Sequence, residues 1–140
     1  MYELNDLLLY ENSSWYVLAN SAKEGLVFDR FYAAAPVCSP TRAAVLTGLA
    51  PARLGITNHL PDQKRFTPKN AKLGPAECID HLGLEYVTIA ERLKTVGYRT
   101  AFMGKWHICG DWSGKDGGKG DARYHPEHQG FDINIGGNAR

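Results

Sequence analysis

The chain has 140 residues, of which 44% are hydrophobic, and its 16 basic residues nearly balance 15 acidic ones. This length supports one core of ordinary domain size and leaves no room for two full domains. Because the charges are interspersed and no apolar run reaches membrane-spanning length, we expect neither a nucleic-acid partner nor a membrane partner. The opening residues lack the basic start and the small-residue cleavage site of an export signal.

The first predicted elements are a helix and a short strand. Residues 13–25 carry apolar side chains at helical spacing, including Trp15 and Leu18, and end at Gly25. This pattern predicts a helix. The next segment, 26–33, is rich in aromatic and branched residues and predicts a short strand.

The stretch CSPTRAAVLTG, residues 38–48, predicts a helix preceded by a cysteine. Ser39 is the expected N-cap, Pro40 fits the first helical position, and Gly48 is a typical C-terminal end. Cys38 would then precede the first turn. At that place the unpaired N–H groups and the helix dipole favour an anion or a nucleophile.

Arg42 lies one turn into this predicted helix. Its guanidinium is expected to fold back toward Cys38 and to supply a fixed positive charge with several donors. Two interpretations of Cys38 stay open on these residues: a reactive group at a helix start, or a small buried hydrophobe. Cys78 and Cys109 do not form a zinc pattern with it, although a disulfide between those two is an option.

Residues 51–84 show no sustained periodicity and predict a long surface excursion with turns. His59 and His81 lie in this region. Neither histidine stands in a pattern that indicates a function.

Residues 88–97 predict an amphipathic helix. Thr88 and Glu91 match a capping box at its start, and Gly97 is the expected end. Three apolar residues share one face at helical spacing and are the expected contact with the core: Ile89, Leu93 and Val96.

Residues 98–108 predict a buried strand that runs into a loop, and they contain the sequence GKWH. In an extended segment Lys105 and His107 project from one face and Trp106 from the other. A lysine and a histidine at a strand end can bind an anion and move a proton. The alternative is a solvated lysine beside a hydrogen-bonded structural histidine.

The segment 109–127 is rich in glycine and predicts a loop, either at an active site or on the surface. It does not match the spacing of a phosphate-binding loop. His125 and His128 lie three residues apart, but Pro126 between them and the lack of a neighbouring carboxylate–histidine pattern argue against a metal pair.

Two of these stretches resemble the signatures of the type I sulfatases, in the alkaline phosphatase superfamily. CSPTRAAVLTG is similar to their C-x-P-x-R pattern followed by T-G, and GYRTAFMGKWHICG (97–110) to their G-Y-x-T pattern followed by G-K-W-H. The resemblance covers about residues 15–140 and is to arylsulfatase-like members. It implies an α/β fold in which residues 1–140 form part of the N-terminal catalytic domain.

The resemblance also implies a sulfuric ester hydrolase in which a maturation enzyme oxidises Cys38 to formylglycine, an aldehyde that is hydrated at rest. One hydroxyl attacks sulfur, and the other then loses its proton so that sulfate leaves. Pro40 and Arg42 belong to the recognition motif, and Arg42 also stabilises the hydrate. The resemblance further implies that Lys105 contacts sulfate and that His107 bonds the formylglycine hydroxyl and helps to remove its proton.

Members of this family bind a divalent metal, usually calcium, through paired aspartates near their start and Asp-Asn or Asp-His ligands later in the chain. Asp6 stands alone in this sequence, so formylglycine at Cys38 is the one metal contact that the resemblance implies here. We therefore expect a partial fold, a mixed sheet flanked by helices without its first and later strands. The same departures predict a truncated or fragmentary gene product with little activity of its own.

Three functions stay open at this point. The first is hydrolysis of sulfate esters, the second is hydrolysis of phosphonate monoesters or phosphodiesters on the same scaffold, and the third is an inactive segment that lacks metal ligands. The partners implied by the resemblance are a sulfate ester substrate and a formylglycine-generating maturation enzyme. Complete family members are often periplasmic, secreted or lysosomal.

Overall fold

The computed structural model describes residues 14–60, 67–110 and 119–138. The chain divides into two compact units, one that ends at residue 32 and one that begins at residue 33. The first unit contains helix α1, Ser14–Glu24. Its predicted end is confirmed, because the N–H of Gly25 donates to the Ser21 carbonyl at 2.8 Å and residues 25–37 are not helical.

The strand predicted over 26–33 is wrong. This segment is irregular with a turn at 29–30, and Phe28 and Phe31 are exposed and contact each other, with ring centroids 5.6 Å apart. A strand needs a neighbouring strand to pair its backbone N–H and C=O groups. Within the described residues, no strand pairs with this segment.

The second unit combines short helices with a small parallel sheet. Its helices are α2 (Cys38–Thr47), α3 (Pro51–Leu54) and α4 (Ile89–Lys94). Strands β1 (Ala101–Met103) and β2 (Ile133–Ile135) pair in parallel. Of the residues described between them, Ala122–Tyr124 and Pro126–Gln129 form 3-10 turns. The expected α/β class is confirmed, with a sheet of two strands in the described residues.

Helix α2 begins two residues earlier than predicted. Its N-cap is Val37, which is extended and makes no side-chain cap, so Cys38 is the first helical residue and does not precede the first turn. Ser39 is not the cap because its hydroxyl is used elsewhere: its Oγ accepts the N–H of Leu60 at 3.3 Å. The predicted end is confirmed, since Gly48 adopts the left-handed conformation with φ 70°.

A cluster of buried side chains forms the core of the described part of the second unit. Its members come from α2, α3, the chain around residues 56–60 and 82, and the segment that follows β1: Ala43, Leu46, Leu54, Ile56, Leu60, Leu82, Trp106, Ile108 and Cys109. Residues 51–84 were expected to form a surface excursion. This expectation is wrong for four residues of the segment that lie in the core: Leu54, Ile56, Leu60 and Leu82. It holds for residues 68–77, which are exposed. An irregular segment can bury isolated apolar side chains, and because these residues follow no regular spacing, the sequence pattern does not reveal them.

The capping box predicted for helix α4 is confirmed. Thr88 Oγ1 accepts the N–H of Glu91, and the Glu91 carboxylate accepts the N–H of Thr88 at 2.7 Å. The predicted apolar face is wrong for two of its three residues: Ile89 and Val96 are exposed, Leu93 is half-buried, and Ala90 is the buried residue of the helix. Helix α4 has six residues, so few of its side chains can face the core. The small side chain of Ala90 is the one that is buried there.

The strand predicted over 98–108 is much shorter than expected. Only Ala101–Met103 pair with β2, and Met103 is exposed. The chain leaves the sheet at Gly104, which has φ 107°. Trp106 is then buried in irregular chain, and its indole N–H donates to the Tyr124 carbonyl at 2.8 Å.

The possible disulfide between Cys78 and Cys109 does not form, and all three cysteines are free thiols. In the parts of the chain that the structure describes, no helix combines the length and the apolar character needed to cross a membrane.

We expect Thr88→Ala to lower the free energy of unfolding by about 1–3 kcal/mol, because it removes a helix cap and leaves a buried carbonyl without its donor. The Thr88 hydroxyl also donates to the Gln129 carbonyl at 2.7 Å, so one side chain joins α4 to a 3-10 turn. Urea unfolding followed by circular dichroism measures the loss. Thr88→Ser should retain most of the stability.

Thr95→Ala is the matched control, since the Thr95 side chain is exposed and its hydroxyl donates within its own turn, to the Arg92 carbonyl. It should change the free energy of unfolding by less than about 0.5 kcal/mol. Equal losses for Thr88→Ala and Thr95→Ala would contradict the structural role of Thr88.

Candidate active site

Cys38 and His107 meet although 69 residues separate them. Cys38 stands on the first turn of α2 and His107 in the loop after β1, and Sγ lies 3.1 Å from Nδ1. The hydroxyl oxygen of Ser39 lies 3.3 Å from the same nitrogen. Cys38 is half-buried and His107 is 5% exposed. One imidazole nitrogen therefore faces both a thiol and a hydroxyl.

The backbone of His107 is left-handed, with φ 62°, and among the described residues it is the non-glycine residue with positive φ. This conformation costs about 1–2 kcal/mol and persists only where its surroundings hold it. Here the His107 N–H donates to the Asn138 carbonyl at 2.9 Å, and the neighbouring Trp106 is anchored in the core. The GKWH segment is thus not extended, so strand alternation does not decide where Lys105 and His107 point.

Arg42 connects helix α2 to the same loop. Its Nη1 donates to the backbone carbonyl of Lys105, and its Nε is buried without a hydrogen-bond partner in the described part of the chain. The Lys105 side chain is exposed. The structure therefore brings together the four residues of the two motifs, Cys38, Arg42, Lys105 and His107.

His59 is a further member of the cluster, and the sequence assigned it no function. Its ring meets the His107 ring edge-on, with centroids 4.9 Å apart. Ligand atoms of Cys38, His59 and His107 all lie within 4.8 Å of one another. No spacing rule relates His59 to either motif. It reaches the cluster because the next residue, Leu60, is buried in the core and bonds to Ser39.

The pKa of His107 is lowered from 6.5 to about 4. Burial of the ring is the largest cause, and electrostatic repulsion from the basic groups Lys105, His59 and Arg42 adds to it, whereas a contact with the Leu60 backbone acts in the opposite direction. At neutral pH the imidazole is therefore uncharged and able to accept a proton.

The other histidines and cysteines considered in the sequence lie elsewhere. His81 contacts the Asp80 carboxylate at 2.7 Å and stacks on Tyr124, with ring centroids 3.8 Å apart. His125 Nε2 lies 3.0 Å from the Lys119 carbonyl. Burial raises the pKa of the Cys109 thiol to about 12, so it stays protonated and unreactive.

Comparison with known proteins identifies the class of this fold and site. The family model for sulfatases matches residues 10–139, so the chain belongs to the sulfatase family. This confirms the resemblance that the two motifs indicated.

Individual relatives agree with the family. The chain is 37% identical to steryl-sulfatase of Mus musculus over 136 residues, which cover 95% of this chain and 20% of that protein. It is 38% identical to arylsulfatase G of Rattus norvegicus, over 85% of this chain and 18% of that protein. The chain thus spans about a fifth of the length of the curated relatives it matches.

A solved structure is also similar. The crystal structure of Ps i-CgsB in complex with k-i-k-neocarrahexaose superposes with a TM-score of 0.51 at 28% identity, covering 76% of this chain and 19% of that chain. The described helices and parallel sheet therefore correspond to part of a larger α/β fold.

We expect the stability of the protein to fall between about pH 6.5 and pH 4 because of His107. Its pKa in the folded state lies below the ordinary value, so the unfolded chain binds the proton more readily. The contribution is complete above pH 6.5 and is lost as the pH falls toward 4, by about 3 kcal/mol in total. Urea unfolding at several pH values measures it.

His107→Asn should remove this part of the pH dependence, since asparagine tolerates the left-handed backbone but does not titrate. His128→Asn, at an exposed histidine, is the matched control and should retain it. An unchanged pH profile in His107→Asn would show that His107 does not resist protonation in the folded state.

Proposed function

We propose that the mature protein hydrolyses sulfate esters with a formylglycine made from Cys38, and that Arg42, Lys105 and His107 act with it. The observation that carries this proposal is the 3.1 Å contact between Cys38 Sγ and His107 Nδ1, which joins the two sulfatase motifs at one point. Membership of the sulfatase family supports the class of reaction.

The surroundings of Cys38 fit a side chain that carries hydroxyl groups. Residue 38 is partly accessible, and its side chain faces an imidazole nitrogen and the Ser39 hydroxyl, both of which form hydrogen bonds to oxygen. Formylglycine supplies a hydrated aldehyde there, one hydroxyl of which attacks sulfur while the other allows sulfate to leave. A formylglycine-generating enzyme is the partner that this modification requires.

His107 is proposed to take a proton from the side chain of residue 38. Its ring is uncharged at neutral pH because of burial and of the basic groups nearby. Its Nδ1 already faces position 38, and its backbone is held in place by the bond to Asn138. His107 is therefore positioned and unprotonated before substrate arrives, which is the geometry and the protonation state from which a general base acts.

Lys105 and Arg42 are proposed to attract and hold the anionic sulfate. The exposed ammonium of Lys105 is available to a ligand from solvent, whereas the guanidinium of Arg42 lies further in and bonds to the Lys105 carbonyl. Arg42 therefore both adds positive charge and positions the backbone of Lys105. Preorganised positive charge stabilises an anion most strongly where water is excluded.

Calcium, which the family implies, is not held by the described residues alone. It takes roughly six to eight oxygen ligands, whereas this cluster offers one sulfur, or one oxygen-bearing group after maturation, beside two imidazoles. In addition, the charged groups that lower the pKa of His107 are basic, and such groups repel a cation. None of the roles proposed for Cys38, Arg42, Lys105 and His107 depends on calcium.

Maturation is tested by producing the protein together with a formylglycine-generating enzyme and analysing its peptides by mass spectrometry. We expect the Cys38 peptide to change by the mass difference between CH2SH and CHO, and Cys38→Ala to abolish the change. Cys78 and Cys109 are internal controls that lack the following proline and arginine, so both should remain thiols. An unmodified Cys38 would contradict the proposal.

Kinetics of aryl sulfate hydrolysis test the roles of Lys105 and His107. They are measured on the mature protein at the full length of its relatives, because this segment alone is expected to have little activity. His107→Ala should lower kcat by about 10²- to 10⁴-fold with a smaller effect on KM, because it removes a proton acceptor. Lys105→Ala should impair both parameters, since its charge meets the sulfate before and during reaction. The double variant should lose less than the product of the two effects.

Lys69→Ala and His128→Ala are matched controls at exposed positions away from the cluster, and neither should change the kinetics. Aryl phosphonate and phosphodiester substrates are assayed in parallel. Unchanged rates in both site variants would mean that GKWH is structural. Faster turnover of the phosphonate and phosphodiester substrates would show that their hydrolysis, and not sulfate ester hydrolysis, is the main reaction.

A further inference from the structure

Before maturation, the cluster around Cys38 contains three soft metal-ligating side chains from three separate segments. They are the thiol of Cys38 on α2, His59 in the chain after α3, and His107 in the loop after β1. Each offers one ligand atom, and these atoms lie within 4.8 Å of one another. The formylglycine reaction uses the position of Cys38 but makes no use of its sulfur, nor of His59.

The spacing of these atoms is close to that of a tetrahedral zinc site. Zinc binds sulfur at about 2.3 Å and imidazole nitrogen at about 2.0 Å, so its ligand atoms lie roughly 3.3–3.6 Å apart. Cys38 Sγ and His107 Nδ1 are 3.1 Å apart, and the largest separation in the cluster is below 4.8 Å. Small side-chain rotations would bring the three atoms onto one ion.

The three segments are held together by contacts other than the ligands themselves. Leu60 is buried next to His59, and its N–H bonds to Ser39, the neighbour of Cys38. The His107 backbone is fixed by the bond to Asn138 and by the buried Trp106. Because the ligand-bearing segments are already assembled, metal binding does not have to order them.

We propose that the unmodified thiol form of this protein binds a soft divalent transition metal such as Zn²⁺ through Cys38, His59 and His107, with a fourth position open to water. Binding replaces the thiol proton by the metal: the S–H bond breaks, the sulfur–metal bond forms, and the proton leaves to solvent. Oxidation of Cys38 removes the sulfur ligand. The metal site and the formylglycine site are thus alternative states of one position.

The nearby basic groups oppose this binding without abolishing it. Arg42 reaches the same loop and Lys105 is adjacent to His107, so a dication meets two positive charges. The thiolate formed on binding offsets one of them. Calcium lacks that compensation, since it prefers oxygen ligands and gains little from sulfur or imidazole, so the site is selective for soft ions.

Cobalt(II) is the probe for this site, because its bond to a thiolate gives a near-ultraviolet charge-transfer band and its tetrahedral form gives strong visible bands. The reduced protein, produced without a maturation enzyme, is titrated with Co²⁺, and Zn²⁺ is then added to displace it. We expect both sets of bands to form at one equivalent, to disappear with Zn²⁺, and to be unaffected by excess Ca²⁺.

Cys38→Ser, which is nearly isosteric, should abolish the charge-transfer band. His59→Gln and His107→Gln should each weaken Zn²⁺ binding at least about tenfold, since even a group behind a ligand contributes that much. Cys78→Ser and His128→Gln are the matched controls and should bind as the parent does. Circular dichroism of each variant establishes that it is folded.

A charge-transfer band that survives in Cys38→Ser or is lost in Cys78→Ser would overturn the proposal, as would undiminished Zn²⁺ affinity in a folded His59→Gln. This test uses the unmodified protein and no sulfate ester, so it fails or succeeds independently of the hydrolase activity. In a partly matured sample, the band should fall in proportion to the fraction of Cys38 converted.

Discussion

The site depends on the burial of Trp106. This indole is 1% exposed, donates to the Tyr124 carbonyl, and packs edge-on against Phe102 and Phe131. Its anchoring fixes the two residues on either side of it, so that Lys105 faces solvent and His107 turns toward helix α2. The left-handed backbone of His107 is the local cost of this arrangement, and core packing offsets it.

The same surroundings produce the protonation state of His107 and the attraction for an anion. Burial removes water from the ring, and the basic groups of Arg42 and Lys105 oppose a further positive charge on it. A neutral imidazole beside fixed cations is suited to accept a proton from a neighbour while an anionic group is held nearby. The choice between the two proposed states of the site then rests on the chemistry of one side chain, a thiol or an aldehyde at position 38.

Several elements were predictable because the interactions that create them are local. The capping box of Thr88 and Glu91 depends on residues three apart, and Gly48 ends α2 because glycine adopts a positive φ readily. Predictions that needed a distant partner failed. The segment 26–33 has strand-like residues but no described strand beside it, and Ser39 was displaced from its cap by a bond to Leu60.

The sequence by itself determined the family and the four motif residues, because two ordered motifs carry that information in residue identity and spacing alone. Only the tertiary structure decided that His59 joins Cys38 and His107, whose contact the family resemblance had already implied. It also decided that Ala90 rather than Ile89 faces the core. Such contacts arise between segments 21 and 69 residues apart, where burial and mutual fit, not local periodicity, select the neighbours.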